Sequence, residues 1–272
     1  MQSPLNPPSP LKVMTFNLRY RNVHDPSPHT WEERRPVVKA CIQSEGPDLI
    51  GTQEGLYDQI KAIDADQPDY NWIALGRGGG SRGEHMAVFY RRDRLEPLEY
   101  DHFWLSDTPD VIGSVTWGHK CQRMVTWVRF RDLSNDQQFY FWNTHFDHDS
   151  QTAREKSAEL VLHRVHALDS SLPVILVGDF NAAARRNKSY DILTAPEAFT
   201  DTWFSASERQ GEDFATYHGF NPPVPNGAHI DWILTRGPVT AQETHIVTFQ
   251  QNGQYPSDHF PIIATLELAN KG

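Results

Sequence analysis

Apolar residues run along this chain in short continuous blocks, and several of those blocks stop on a polar group. Val174-Ile175-Leu176-Val177 is followed at once by Gly178, Asp179, Phe180, Asn181 and Ala182. A short β-branched and aliphatic run bounded this sharply predicts a buried strand. Four more segments have the same form: 13–17 ending at Asn17, 49–54 ending at Glu54, 139–145 ending at His145, and 229–234 carrying Asp231. A sixth, 255–261, sets Asp258 and His259 just ahead of a last strand at 261–268. Strands are also expected at 84–91 and 122–130. Side chains alternate across a strand, so Phe139, Phe141, Asn143 and His145 share one face, and Tyr140, Trp142 and Thr144 the other.

Between these runs the spacing turns helical. A helix is predicted from Trp31 to about residue 45, with Val37, Val38, Ala40, Cys41 and Ile42 as its apolar positions and Gly46-Pro47 as its stop. Another follows Glu54 over 57–64. Thr152 and Glu155 fit a capping box, opening a helix to about residue 168 on whose sequence Ala158, Val161, Leu162, Val165 and Leu168 recur at helical spacing. His163 and His166 then face solvent. Residues 185–207 read as short helical or loop pieces, and Pro222, Pro223 and Pro225 stiffen the loop before Asp231. Residues 1–10, with Pro4, Pro7, Pro8 and Pro10, read as a disordered arm ahead of one domain over 11–270.

Taken alone, Asp179 and Asn181 could merely close a strand as an Asx turn. Six polar strand ends in the order Asn17, Glu54, His145, Asp179/Asn181, Asp231 and Asp258-His259 resemble the endonuclease/exonuclease/phosphatase superfamily, over residues 11 to 268. The resemblance implies an α/β fold, a four-layered α/β sandwich of two packed, mostly antiparallel β-sheets flanked by helices, as in DNase I-like proteins. It implies a phosphoesterase using Mg2+ or Mn2+, with Glu54 as principal metal ligand, Asp258 a second and Asn17 nearby. Asp179 is then the favoured base for the attacking water, with Asn181 positioning that water or the phosphate. Asp231 fixes the tautomer of His259, and His259 and His145 donate to phosphate oxygens. The proton could instead go to His259, and a second metal on Asp179, Asn181 and His259 is the alternative arrangement. Arg123, His218 and Asn143 are expected to contact substrate, and Glu84 to orient His145. Segments 103–109 and 122–130, with Thr216 to Phe220, resemble a bacterial branch whose substrates are largely unassigned.

Composition narrows the partner more than the chemistry. The 272 residues carry a formal net charge of −10, and no Lys/Arg-rich run occurs. Proteins that grip long nucleic acid show a basic face. A small phosphoester, diester or monoester, is therefore the favoured substrate. A nuclease using Arg77, Arg82, Arg123, Arg185 and Arg186 as a local basic groove stays open, and a catalytically inactive binding module is the third reading. The glycine-rich loop at 76–83 lacks the Walker pattern, leaving a hairpin connection or a rim loop with Arg77 or Arg82 near an anion. Cys41 and Cys121 make neither a disulfide framework nor a zinc site. No apolar run is long enough to cross a membrane and no secretory signal opens the chain, so a soluble, cytoplasmic protein is expected.

Overall fold

A computed structural model describes residues 10–211 and 213–269. The expected arm lies outside the described residues except for Pro10, whose carbonyl accepts from Arg94 Nη1. The chain runs β1 (Leu11–Asn17), α1 (Trp31–Glu45), β2 (Leu49–Gly55), α2 (Tyr57–Asp66), β3 (Tyr70–Ile73), β4 (His85–Arg91), β5 (Leu95–Trp104), β6 (Met124–Asp132) and β7 (Gln138–His145). It continues through α3 (Gln151–His166), β8 (Val174–Asp179), α4 (Lys188–Leu193), β9 (Thr200–Asp201), α5 (Thr202–Ser205), β10 (Glu208–Gln210), β11 (Asp231–Arg236), β12 (Val239–Ile246) and β13 (Ile262–Leu268).

The strands form two sheets, ordered β10-β12-β13-β1-β2-β4-β3 and β5-β6-β7-β8-β11-β9. Neighbours are antiparallel except β1 with β2, β7 with β8, and β10 with β12. A core of Val13, Leu49, Val88, Phe141, Val177, Ile233 and Phe260, among others, lies between the sheets. A second packs Trp142, Leu176 and Trp232 against Ala158, Val161 and Val165 of α3. A third packs Phe16, Ile50 and Phe89 against Val38 and Ile42 of α1 and Ile60 and Ile63 of α2. The result is four layers, helix, sheet, sheet, helix, because each sheet has two apolar faces to cover.

Local chemistry sets the helix ends. Thr30 caps α1 by accepting from Glu33 N, and Gly46 ends it in the left-handed region at φ 56°. The third helix starts earlier than expected: Ser150, not Thr152, accepts from Ala153 N at 3.2 Å. The hydroxyl outside the helix reaches the free amide, and Thr152 falls inside the first turn. Asn143 follows the predicted face of β7, but that face points between the sheets. Its Nδ2 donates to Thr52 O at 2.8 Å and Ala87 O at 2.9 Å, and its Oδ1 accepts from Gln53 Nε2 at 2.7 Å. Asn143 is therefore a tie between sheets, not a substrate contact.

Candidate active site

Strand register brings the polar ends together. In the second sheet His145 of β7 and Asp231 of β11 both pair with Asp179 of β8, so three functional side chains leave one row. In the first, Asn17 of β1 pairs with Gln53 of β2, which places Glu54 one residue further along. The two rows meet through Asn17, whose Nδ2 donates to Glu54 Oε1 at 3.1 Å and Asp179 Oδ2 at 2.9 Å. Arg19, Glu54 and Asn181 all hold left-handed backbone, at φ 53°, 64° and 49°. Non-glycine residues rarely adopt that region, and such strain gathers where side chains must be aimed.

Arg19, Glu54, His145, Asp179 and Asn181 line a cavity of about 580 Å3, and the buried Asn17 and Asp231 are not in its wall. Its walls include Glu54, Arg77, Glu84, Arg123, His145, Asp179, Asn181, Asp258 and His259, as the sequence proposed, together with Arg19, Tyr20, Cys121, His148, Tyr217 and Ile230. Arg19 and Tyr20 sit in the turn after Asn17, where Arg19 N donates to Asn17 Oδ1 and Tyr20 N to Glu54 Oε2. That turn holds the Glu54 carboxylate, a role no sequence signal marked. His218 is not part of the wall. Its ring stacks on Phe260 with centroids 3.9 Å apart, and its Nδ1 faces Asn221 O at 3.0 Å. Tyr217, the neighbouring residue, faces the cavity instead, because successive side chains in an extended segment point opposite ways.

Burial and charge tune the titratable groups. Burial pushes the Asp179 carboxyl up to about 7, with the Asp231 charge adding to the rise and His259 opposing it. Burial also works against charge on His259, but Asp231, Asp179 and Asp258 outweigh it and hold the imidazolium up to about 10. His259 Nδ1 lies 2.9 Å from Asp231 Oδ2, and its Nε2 lies 3.8 Å from Asp179 Oδ2. His145 is driven the other way, well below the usual histidine range, by burial and then by Arg123 and Arg77. Asn181 Nδ2 lies 3.0 Å from His145 Nε2, while His145 Nδ1 faces Glu84 Oε2 at 4.0 Å. Glu84 is itself raised to about 7 by burial, although Arg77 pairs with it at 2.8 Å. Arg123 is buried, with Nη2 on His148 Nδ1 at 2.8 Å and Nε 3.5 Å from Asp147 Oδ2.

The donor set suits a hard divalent cation. Ligand atoms of Glu54, His145 and Asp179 lie within 4.8 Å of one another, as do those of Asp179, Asp231 and His259. Burial and the Glu54 charge both raise Asp258. Carboxylates forced together out of water are relieved by a divalent cation. Glu54 groups with Asp179 and His145, while Asp258, whose Oδ2 lies 3.8 Å from Arg19 Nε, falls in neither group.

Two sheets with their polar strand ends converging on an acidic cavity define a metal-dependent phosphoesterase of DNase I-like fold. Residues 14–259 match the Endonuclease/Exonuclease/phosphatase family, and the chain belongs to it as a phosphoester hydrolase. The endonuclease/exonuclease/phosphatase from Bacteroides vulgatus superposes with a TM-score of 0.90 at 32% identity, covering 96% of this chain and 100% of that one. The mannosyl-6-phosphatase of Bacteroides thetaiotaomicron superposes with a TM-score of 0.89 at 32% identity, covering 94% and 99%. A protein of Acanthamoeba polyphaga mimivirus is 29% identical over 210 residues, 70% of this chain and 76% of its own length. Among the described residues no helix is long and apolar enough to cross a membrane.

Proposed function

We propose that this chain hydrolyses a small phosphomonoester, of the sugar-phosphate class, by in-line attack of water at a site that takes Mg2+ or Mn2+. The observation that carries this reading is the cavity itself. Within about 580 Å3, Arg19, Arg77 and Arg123 face the same space as Asp179 and His259. Guanidinium forks match the oxygens of a phosphoryl dianion, and a pocket of that size suits a small molecule. Nucleic acid wants a continuous basic track. Arg185 lies over the Phe204 ring at 3.5 Å, and neither it nor Arg186 lines the cavity. The likeness to a mannosyl-6-phosphatase supports the same substrate class.

Glu54, Asp258 and Asn17 are the residues assigned to the cation, with Asp179 and His145 beside Glu54. When bound, the cation supplies Lewis-acid stabilisation of charge on the phosphoryl and leaving oxygens. Asp179 accepts the proton of the attacking water, its two oxygens already held by Asn17 Nδ2 and Asn181 N. His259, kept protonated through Asp231, directs Nε2–H at an oxygen that gains charge, where an aimed donor contributes about 3 kcal/mol. Arg123 grips the phosphoryl group, and Glu84 holds Arg77 while facing His145.

The test is Mg2+- and Mn2+-dependent release of phosphate or alcohol from sugar phosphates, a generic monoester, a generic diester, a lipid phosphoester, plasmid DNA and oligo-RNA. Sugar phosphates should turn over fastest, with plasmid and RNA intact, and Asp179→Asn should fall by at least about 100-fold. Metal-dependent nicking that disappears in Asp179→Asn would instead make the chain a nuclease.

A further inference from the structure

Arg34 takes no part in the chemistry above, yet the fold gives it an unusual environment. It lies on α1 within Trp31-Glu32-Glu33-Arg34-Arg35-Pro36 and is fully buried. A buried cation normally brings a carboxylate with it. Among the described residues Arg34 has none within ion-pair distance, and its guanidinium is satisfied by backbone carbonyls. Nε donates to His29 O at 2.9 Å, Nη1 to Leu18 O and to Pro256 O, both at 2.8 Å, and Nη2 to Arg19 O at 3.0 Å. Burial lowers its pKa to about 10, which leaves it charged at neutral pH.

Three of those carbonyls, of Leu18, Arg19 and Pro256, belong to the two segments that carry the cation site, and the fourth, of His29, lies just ahead of α1. Leu18 and Arg19 lie between Asn17 and Tyr20, and Tyr20 N holds Glu54 Oε2 at 3.1 Å. Pro256 lies two residues before Asp258. Ser257 closes the same joint from the other side, its Oγ donating to Asn17 O at 2.7 Å. We propose that Arg34 is a positioning residue for the cation site: its fork fixes the segment that holds Asn17 and Glu54 against the segment that bears Asp258. The spacing between the Glu54 carboxylate at the end of β2 and the Asp258 carboxylate ahead of β13 is thereby set by one rigid helix. This rests on the reading of the cavity as a divalent-metal site.

Residue type is part of the argument. A guanidinium carries five N–H groups in a fixed plane, so one side chain reaches three segments at once, whereas lysine offers a rotating point charge. Supports that orient metal ligands govern affinity although they never touch the ion. Simple electrostatics has the opposite sign. A buried positive charge close to Asp258 and Glu54 repels an incoming cation, so deleting it would tighten metal binding if charge were all that Arg34 contributed.

The experiment is calorimetric titration of Mn2+ into the metal-stripped full chain, for wild type, Arg34→Lys, Arg34→Met and Ser257→Ala, with near-UV circular dichroism reporting the fold. Both Arg34 variants should bind Mn2+ about tenfold or more weakly, and Ser257→Ala should shift the same way. An Arg34→Met chain that stays folded and binds Mn2+ as tightly as wild type, or more tightly, overturns the inference. If the Arg34 variants lose their near-UV signal, Ser257→Ala decides: a weakened Kd supports the joint and an unchanged one overturns it. A wild type that takes up no Mn2+ overturns the metal reading and the inference with it. A wild type that binds while every folded variant matches it overturns the inference alone.

Discussion

His259 Nδ1 lies 2.9 Å from Asp231 Oδ2, at the end of the strand that pairs with Asp179. Asp231 contributes most among the three carboxylates, with Asp179 and Asp258, that stabilise the imidazolium where burial opposes charge. If Asp179 is the base and His259 the donor, the acid limb of the rate profile should belong to Asp179, raised to about 7 without metal and lowered by a bound cation, and the alkaline limb to His259 near 10. Asp231→Asn removes the main force raising His259, so the alkaline limb should move down towards neutral pH. Near pH 8, kcat/KM should fall by roughly 100-fold. A pH profile of kcat/KM reads both, and a variant with the wild-type limb and rate would refute the assignment.

Asn143 sets stability, not catalysis. Its amide satisfies two carbonyls of the opposite sheet and receives Gln53, all out of reach of water. Asn143→Ala removes three buried hydrogen bonds, worth about 0.5–1.5 kcal/mol each, although Gln53 Nε2 keeps Thr15 Oγ1 and Gly51 O, and Ala87 O keeps the Thr52 hydroxyl. Urea unfolding should show a loss of about 3 kcal/mol, while KM of the remaining folded enzyme stays at its wild-type value. A raised KM with unchanged stability would return Asn143 to the substrate.

Much of this was legible in the chain because strands advertise themselves. An apolar run that stops on Asp179 states both where the strand is and where its chemistry is delivered, and the order of six such ends fixed the family. What the sequence could not state was depth. Period two correctly placed Asn143 and His145 on one face of β7, but only the last residue of that face emerges from between the sheets. His218 and Tyr217 differ by one position, and which of them meets the cavity depends on packing against Phe260. Nothing in the sequence marked Arg34, because its partners are the carbonyls of His29, Leu18, Arg19 and Pro256, most of them from distant segments. The arginines the sequence offered were similarly divided: Arg77 and Arg123 line the cavity, and Arg82, Arg185 and Arg186 do not.

Asp201 supplies a pH dependence away from the cavity. It is buried at the start of α5, with Oδ1 accepting from Trp203 N at 2.8 Å and Oδ2 from the Tyr190 hydroxyl at 3.1 Å. Burial pushes its pKa from 3.8 up to about 6 against those two donors. The folded chain therefore binds this proton more tightly than the unfolded one. Its contribution to stability is fully present below about pH 4 and is lost as pH rises through about 6, a change on the order of 3 kcal/mol. Asp201→Asn keeps an acceptor for Trp203 N and cannot ionise. Urea unfolding at pH 4.5 and 7.5 should show a smaller loss in the variant than in wild type, and parallel losses would exclude the buried carboxyl as the cause.

Arg123 tests the phosphate grip directly. Its Nη2 is engaged by His148 and its Nε faces the buried Asp147 carboxylate, so the plane of the guanidinium is held as it enters the cavity. Lysine keeps the charge but cannot serve His148, Asp147 and a phosphoryl oxygen together. Arg123→Lys should raise KM for the phosphomonoester about tenfold, the equivalent of one charge-assisted hydrogen bond of about 1.4 kcal/mol. The Ki of inorganic phosphate as a competitive inhibitor should weaken by a similar factor, with a smaller change in kcat. Both constants respond together only if the residue holds the phosphoryl group. A fall in kcat with KM and Ki unchanged would place Arg123 in support of His145 or Asp147, and the grip would then belong to Arg19 and Arg77.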